Sequence, residues 1–109
     1  MSCASSFSAN DLSSLKPIVG TVHTAAAISS TALAATALLT LADATEFVEI
    51  QVNTDQVRHT YTGTTPTAST GFLLAVNETR TLSRSQWLNS KFIRVTLDAT
   101  LQIAQLRSA

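Results

Sequence analysis

Apolar and polar positions alternate along much of the chain. Val48, Ile50 and Val52 alternate with polar side chains in the clearest of these segments. Such a period of two is typical of a strand with one buried face, because successive side chains of a strand point to opposite sides. We therefore predict a strand over residues 47–52 with its valine and isoleucine side chains facing the core.

The same pattern recurs at short intervals and predicts an all-β chain. The predicted strands cover residues 21–28, 32–41, 47–52, 56–62, 72–74, 78–82, 91–97 and 100–106. Seven or eight short strands at this spacing are typical of an antiparallel β-sandwich or barrel. We predict an antiparallel, jelly-roll-like sandwich.

Two segments carry signals other than plain alternation. Residues 32–39 are rich in alanine, so a helix capped by Ser30 or Thr31 is an alternative to the predicted strand. Residues 83–90 lose the alternation. Ser83 or Ser85 is expected to cap a short turn there that places Trp87 and Leu88 against the core.

The loop between the predicted strands 56–62 and 72–74 contains Gly63, Pro66 and Gly71 among threonines and serines. Glycine supplies backbone conformations that other residues avoid, and proline stiffens a chain. Hydroxyl side chains can bond to nearby backbone groups. We predict an ordered loop with a specified shape rather than a catalytic segment.

Domain organisation is predicted to be simple. Residues 1–16 are rich in serine and are expected to form an N-terminal arm, lying either on its own domain or on a neighbouring copy. Residues 17–109 are expected to form one sandwich domain. Residues 17–44 are apolar overall, but His23 and several hydroxyl residues interrupt them. We expect neither a signal peptide nor a membrane-spanning helix there, and no membrane partner.

Composition points toward strands and toward packing between subunits. Charged residues make up 13% of the 109 residues, whereas threonine and serine contribute 30. Threonine fits pleated, half-buried surfaces, and a surface of small hydroxyl residues costs little to desolvate. Six of the seven basic residues lie in the second half of the chain and five of the seven acidic residues in the first. Folding can mix these halves on one surface, or the halves can form complementary faces on neighbouring copies.

No residue pattern in the sequence indicates a catalytic, cofactor-binding or metal-binding site. His23 and His59 lie on different predicted strands without metal-ligand spacing, and Cys3 is the only cysteine. Glu46 and Glu49 would point to opposite faces of a strand. We therefore expect no enzymatic activity and no cofactor. The neutral net charge also argues against nucleic acid as a partner.

Tyr61 and Trp87 are the two aromatic residues that could form a stacking platform for a sugar ring. The alternative for both is core packing at one end of a sheet. A carbohydrate-binding sandwich is therefore kept as a second functional hypothesis.

The order of several segments resembles small structural proteins of tailed bacteriophages. These segments are Phe47-Val-Glu-Ile-Gln-Val-Asn53, the run from Val57 to Gly71 with Pro66-Thr-Ala-Ser-Thr-Gly71 at its end, Leu74-Ala-Val-Asn-Glu-Thr79, Lys91-Phe-Ile-Arg-Val95 and Ala99-Thr-Leu-Gln-Ile103. The resemblance covers residues 45–106, and its distinctive part is the loop.

This resemblance implies a non-enzymatic β-sandwich of the virion that is used in many copies. A capsid decoration or cement protein is the leading expectation, with copies of itself and the major capsid protein as partners. A head–tail connector, neck protein or tail protein is the alternative within the same family.

Overall fold

The protein, described here by a computed structural model over residues 15–19 and 23–108, is built mainly of strands. Two antiparallel sheets form a compact, sandwich-like fold, which confirms the predicted fold class. The strands of these residues are β1 (Leu15–Pro17), β2 (Thr24–Ile28), β3 (Leu33–Ala34), β4 (Phe47–Asn53), β5 (Val57–Thr60), β6 (Phe72–Leu74), β7 (Thr79–Ser83), β8 (Lys91–Arg94) and β9 (Ala99–Ser108). Two short helices accompany them, α1 (Ala35–Leu38) and α2 (Arg84–Leu88).

Sheet I contains β1, β2, β9, β4 and β7, and β9 is its central strand. β4 pairs along one edge of β9, while β1 and β2 pair one after the other along the opposite edge. Sheet II has the order β3, β8, β5 and β6. Consecutive strands often lie in different sheets, so each sheet is assembled from distant parts of the chain.

The N-terminal arm predicted for residues 1–16 falls mostly outside the described residues. Its last two residues belong to β1, where Lys16 pairs with Arg107 of β9. Cys3 also lies outside the described residues.

The core lies between the two sheets and follows the predicted alternation closely. From sheet I, the buried apolar side chains include Val48, Ile50, Val52, Leu101 and Ile103. Sheet II and the helix that leads into it contribute Val57, Leu74, Phe92 and Trp87. Burying a side chain of this size stabilises the fold by about 1.5–3 kcal/mol, so this layer is the main source of stability.

The segment 32–41 differs from the predicted strand. Only Leu33–Ala34 pairs as a strand, and α1 follows at once, so the helical alternative is correct for one turn. No side chain caps this helix, in contrast to the predicted role of Ser30 or Thr31. Ala35, the first residue of α1, is fully buried, and its small side chain lets the start of the helix pack against the core.

The strand predicted over residues 91–97 is shorter than expected. β8 ends at Arg94, and the buried residue of the strand is Phe92. Ile93, on the opposite face, is half-buried, and Leu97 is 64% exposed in the bend that leads into β9. Alternation alone does not tell which face of a strand is inward when both faces carry apolar residues.

Helix α2 begins at a capping box on Ser83, one of the two serines predicted as a cap. The Ser83 hydroxyl accepts from the Gln86 backbone N–H at 3.2 Å, and the Gln86 side chain accepts from the Ser83 backbone N–H at 2.9 Å. These bonds satisfy two helix-end donors. The helix buries Trp87 completely, as predicted, but leaves Leu88 48% exposed, contrary to prediction.

Candidate functional site

The loop of residues 61–71 folds back against the outer face of sheet II. Register places Arg58 and Thr60 on this outer face, because their neighbours Val57 and His59 point inward. The Thr60 hydroxyl donates to the Thr64 carbonyl, and Thr60 is buried beneath the loop. Thr67 and Thr70 close a tight turn at the loop tip with two backbone bonds of 3.0 and 3.2 Å. The loop is ordered, as the sequence predicted.

Arg58 is the side chain that ties the loop down. Its guanidinium donates to the carbonyl oxygens of Ala68 at 3.2 Å and Gly71 at 3.1 Å. Lys91, on the neighbouring strand, donates to the Thr65 hydroxyl at 3.2 Å. Arg58 was not predicted to have this role, because the pattern of a strand does not show which loop carbonyl oxygens lie above its arginine.

Both glycines of the loop adopt the left-handed backbone region. Gly63 has φ of 88° and Gly71 has φ of 123°. A Cβ at Gly71 would lie 3.3 Å from the Pro66 Cβ and 3.4 Å from the His59 carbonyl oxygen, whereas a Cβ at Gly63 would meet nothing within 4 Å. Gly71 therefore serves both a turn and a close approach, and Pro66 packs against it.

His59 is fully buried between the sheets. Its ring stacks on Phe92 with centroids 4.6 Å apart. Its Nε2 lies 2.9 Å from the Ser90 hydroxyl, whose own hydrogen is donated to the Gln86 carbonyl at 2.7 Å. The Ser90 oxygen therefore accepts from His59 Nε2–H. Burial, and then the positive charge of Arg80, lower the pKa of His59 to about 4. This arrangement suits a neutral core histidine.

His23 and Glu46, two exposed titratable residues, have separate hydrogen-bond partners. His23 is exposed, and its Nε2 is 2.6 Å from the Gln102 side-chain oxygen. Glu46 is exposed and accepts from the Ser108 hydroxyl at 2.6 Å and from the Ser108 backbone N–H at 2.7 Å. The bond from the hydroxyl, and then the bond from the backbone, lower the pKa of Glu46. Within the described residues, no three His, Cys, Asp or Glu side chains come together as a metal site.

The sugar platform predicted from Tyr61 and Trp87 does not form. Trp87 is fully buried, and its ring packs against Phe92 with centroids 6.2 Å apart. Tyr61 is half-buried and stacks on Phe72 at 5.6 Å. Trp87 therefore has no face available to a sugar, and the core alternative is correct for it.

The outer face of sheet I has a consistent character along its described strands. We define it by the outward-pointing strand residues Ala25, Ala27, Phe47, Glu49, Gln51, Thr79, Thr81, Thr100, Gln102, Ala104 and Leu106. Glu49 is the only charged residue among them. The face is thus composed mostly of small or uncharged side chains, and burying it would cost little desolvation.

The outer face of sheet II has the opposite character. Arg58 and Lys91 point outward there and hold the loop, so this face is basic and partly covered. Among the described residues, two acidic side chains of the first half of the chain contact its second half. Asp55 accepts from the backbone N–H groups of Gln56 and Leu97, and Glu46 accepts from Ser108. Folding therefore distributes the two halves of opposite charge over one surface.

A small group of exposed apolar side chains lies on β6 and in the turn between β6 and β7. Phe72 is 54% exposed, Leu73 43% and Val76 42%. The guanidinium of Arg80, from β7, lies 5.9 Å from the centre of the Phe72 ring and closes this side of the sandwich. β6 is the edge strand of sheet II, and its pairing partner in the described fold is β5.

Comparisons with known proteins add no relative. A scan against family models and searches of curated proteins and of solved structures find no match to this chain. In the part of the chain that the structure describes, no helix has the length and apolar character that crossing a membrane requires.

Proposed function

We propose that this protein is a non-enzymatic structural component of a tailed-bacteriophage virion. In this proposal it decorates the capsid shell as a cement protein, and it binds the major capsid protein and neighbouring copies of itself.

The observation that carries the proposal is the outer face of sheet I. A face whose only charged residue is Glu49 can pack against another protein without burying many unpaired charges. Its strands hold it rigid, so little conformational entropy is lost when a partner binds. A protein used in many copies gains from such a face, because each modest contact is repeated by symmetry.

The ordered loop supports the same proposal. The motif from Pro66 to Gly71 carries the resemblance to phage structural proteins, and Arg58 holds this motif against sheet II. A loop fixed in this way presents a constant surface, as a contact between shell subunits requires.

The test mixes the purified protein with capsids of its own phage that were assembled without it. We expect saturable co-sedimentation, with copies spread over the shell in electron micrographs. Binding at a single vertex would support the connector or neck alternative, and binding along isolated tails the tail alternative. A protein that binds neither capsids nor tails would contradict the proposal.

A further inference from the structure

Two polar side chains flank the central strand of sheet I at the same level. Glu49 of β4 is directly opposite Ala104 of β9. On the other edge of β9, Thr24 is opposite Ile103, so the preceding residue, His23, is level with Ala104 as well. Both side chains are exposed on the outer face, where His23 bonds to Gln102.

This placement is self-complementary under a two-fold rotation about an axis along β9. The rotation turns a second copy face to face with the first and brings β4 of one copy over β2 of the other. Glu49 of each copy then lies over His23 of its counterpart. The Gln102 amide, whose oxygen contacts His23, adds N–H donors beside the same carboxylate.

The residues on the axis permit a close approach. Ala104 and Leu106 of each copy would meet the same residues of the other, and small side chains at Ala25 and Ala27 line one side. Packed sheets lie about 10 Å apart, with their strands within about 30° of alignment. A two-fold axis along β9 gives this aligned arrangement.

We propose that the outer face of sheet I is a two-fold interface with a second copy of this chain, in which Glu49 pairs with the His23–Gln102 pair of that copy. The inference rests on the proposed function, because it names the surface through which that function's self-association occurs.

The interface is small. Three overlapping strands span about 14 Å, and seven residues of β9 span roughly 24 Å, which gives on the order of 350 Å² on each copy. Stable interfaces bury more than about 1,000 Å² in total. Self-association in solution should therefore be weak, with a dissociation constant between about 10 µM and 1 mM, and should strengthen when copies are held side by side on a particle.

The test measures self-association by sedimentation velocity over this concentration range. Glu49→Lys places a lysine over His23 of the second copy, and His23→Glu places two acidic side chains together. We expect each variant to weaken association at least about tenfold. Asp43→Lys is the matched control, since Asp43 is exposed but lies in the turn before β4, off this face. It should associate as the wild type does.

Restoration separates this interface from a general effect of charge. An equimolar mixture of the two single variants can form a heterodimer with one Lys–Glu contact and one native contact. The double variant with both changes swaps the charges in both contacts. We expect the mixture and the double variant to return to within about threefold of wild-type affinity. Circular dichroism should show that all variants fold.

The inference is overturned if the wild type stays monomeric up to about 1 mM, if Glu49→Lys behaves like Asp43→Lys, or if neither combination restores association. The same proteins are also mixed with capsids. Capsid binding without self-association would overturn the interface and leave the proposed function standing. Restored self-association without binding to capsids or tails would support the interface and contradict the proposed function.

Discussion

At the scale of the residue, the buried polar side chains show how neutral groups are accommodated between the sheets. Gln105 of β9 accepts from the Ala42 backbone N–H at 2.8 Å and from the Thr45 hydroxyl at 2.6 Å, so a buried amide fixes the segment before β4. His59 bonds to Ser90 through Nε2, while its Nδ1 has no hydrogen-bond partner in the described structure. A proton on that nitrogen would place a charge in the core without compensation.

His59 should make stability depend on pH. Its pKa of about 4 in the folded protein is below the ordinary value of 6.5, so the unfolded chain binds the proton more strongly. The contribution of His59 is complete above about pH 6.5 and is lost as the pH falls from there through 4, by on the order of 3 kcal/mol. Urea unfolding between pH 7.5 and about 4 measures this loss.

His59→Gln keeps a donor for Ser90 but does not titrate, so it should remove most of this loss even if it is less stable at pH 7. His23→Gln changes the exposed histidine and should keep the wild-type dependence on pH. An equal loss in wild type and His59→Gln would show that other groups cause the acid sensitivity.

At the scale of the element, the loop between β5 and β6 has little regular structure yet a specified shape. Arg58 holds two carbonyl oxygens of its distal part, and Gly63 N–H donates to the Asn89 carbonyl at 3.1 Å. Pro66 is buried against Gly71. The shape therefore depends on contacts with β5 and with the end of α2, as well as on the residues of the loop.

Gly71→Ala and Gly63→Ala form a matched pair for testing this shape. Both alanines are strained by positive φ, at about 1–2 kcal/mol. Only the Cβ at position 71 also crowds Pro66 and the backbone of His59. We expect Gly71→Ala to lower the free energy of unfolding by roughly 2–4 kcal/mol and Gly63→Ala by about half as much. Urea denaturation checks the difference, and equal losses would mean that the close approach at Gly71 does not matter.

At the scale of the whole molecule, the two sheets share one core. Along the described strands the chain passes between the sheets six times, including at the turn after β4 and through α2, and the buried side chains of both sheets form one cluster. Trp87 lies at the crossing through α2 and is the only tryptophan. The sandwich should therefore unfold as one cooperative unit.

Ile103→Ala tests this cooperativity, because it changes sheet I while Trp87 reports on the side of sheet II. Ile103 is fully buried in the central strand of sheet I, so its truncation should cost about 2–5 kcal/mol. Trp87 fluorescence and far-ultraviolet circular dichroism should shift to the same new midpoint. Leu97→Ala, at an exposed position, should change stability by less than about 0.5 kcal/mol. Separate midpoints for the two probes would contradict a single folding unit.

The residues that share the outer face of sheet I could not be predicted from the sequence. Ala25, Glu49 and Gln102 come from three separate segments, and antiparallel pairing with β9 places them on one face. The sequence showed that the chain is poor in charge, but the level of His23 with Glu49 depends on register across β9. The charge imbalance between the halves of the chain, by contrast, does not produce two separate units, because the sheets combine segments from both halves.

The sequence alone determined most of the strand segments, the inward faces of β4 and β9, a serine cap before Trp87 and the two glycine pivots. Each of these follows from local periodicity or from the conformational limits of one residue. Tertiary structure decided the rest. It converted residues 35–38 into a helical turn, turned Phe92 inward, buried Trp87 away from any ligand and set Arg58 beneath the loop. These outcomes depend on which distant segments meet, and a local pattern carries no information about that.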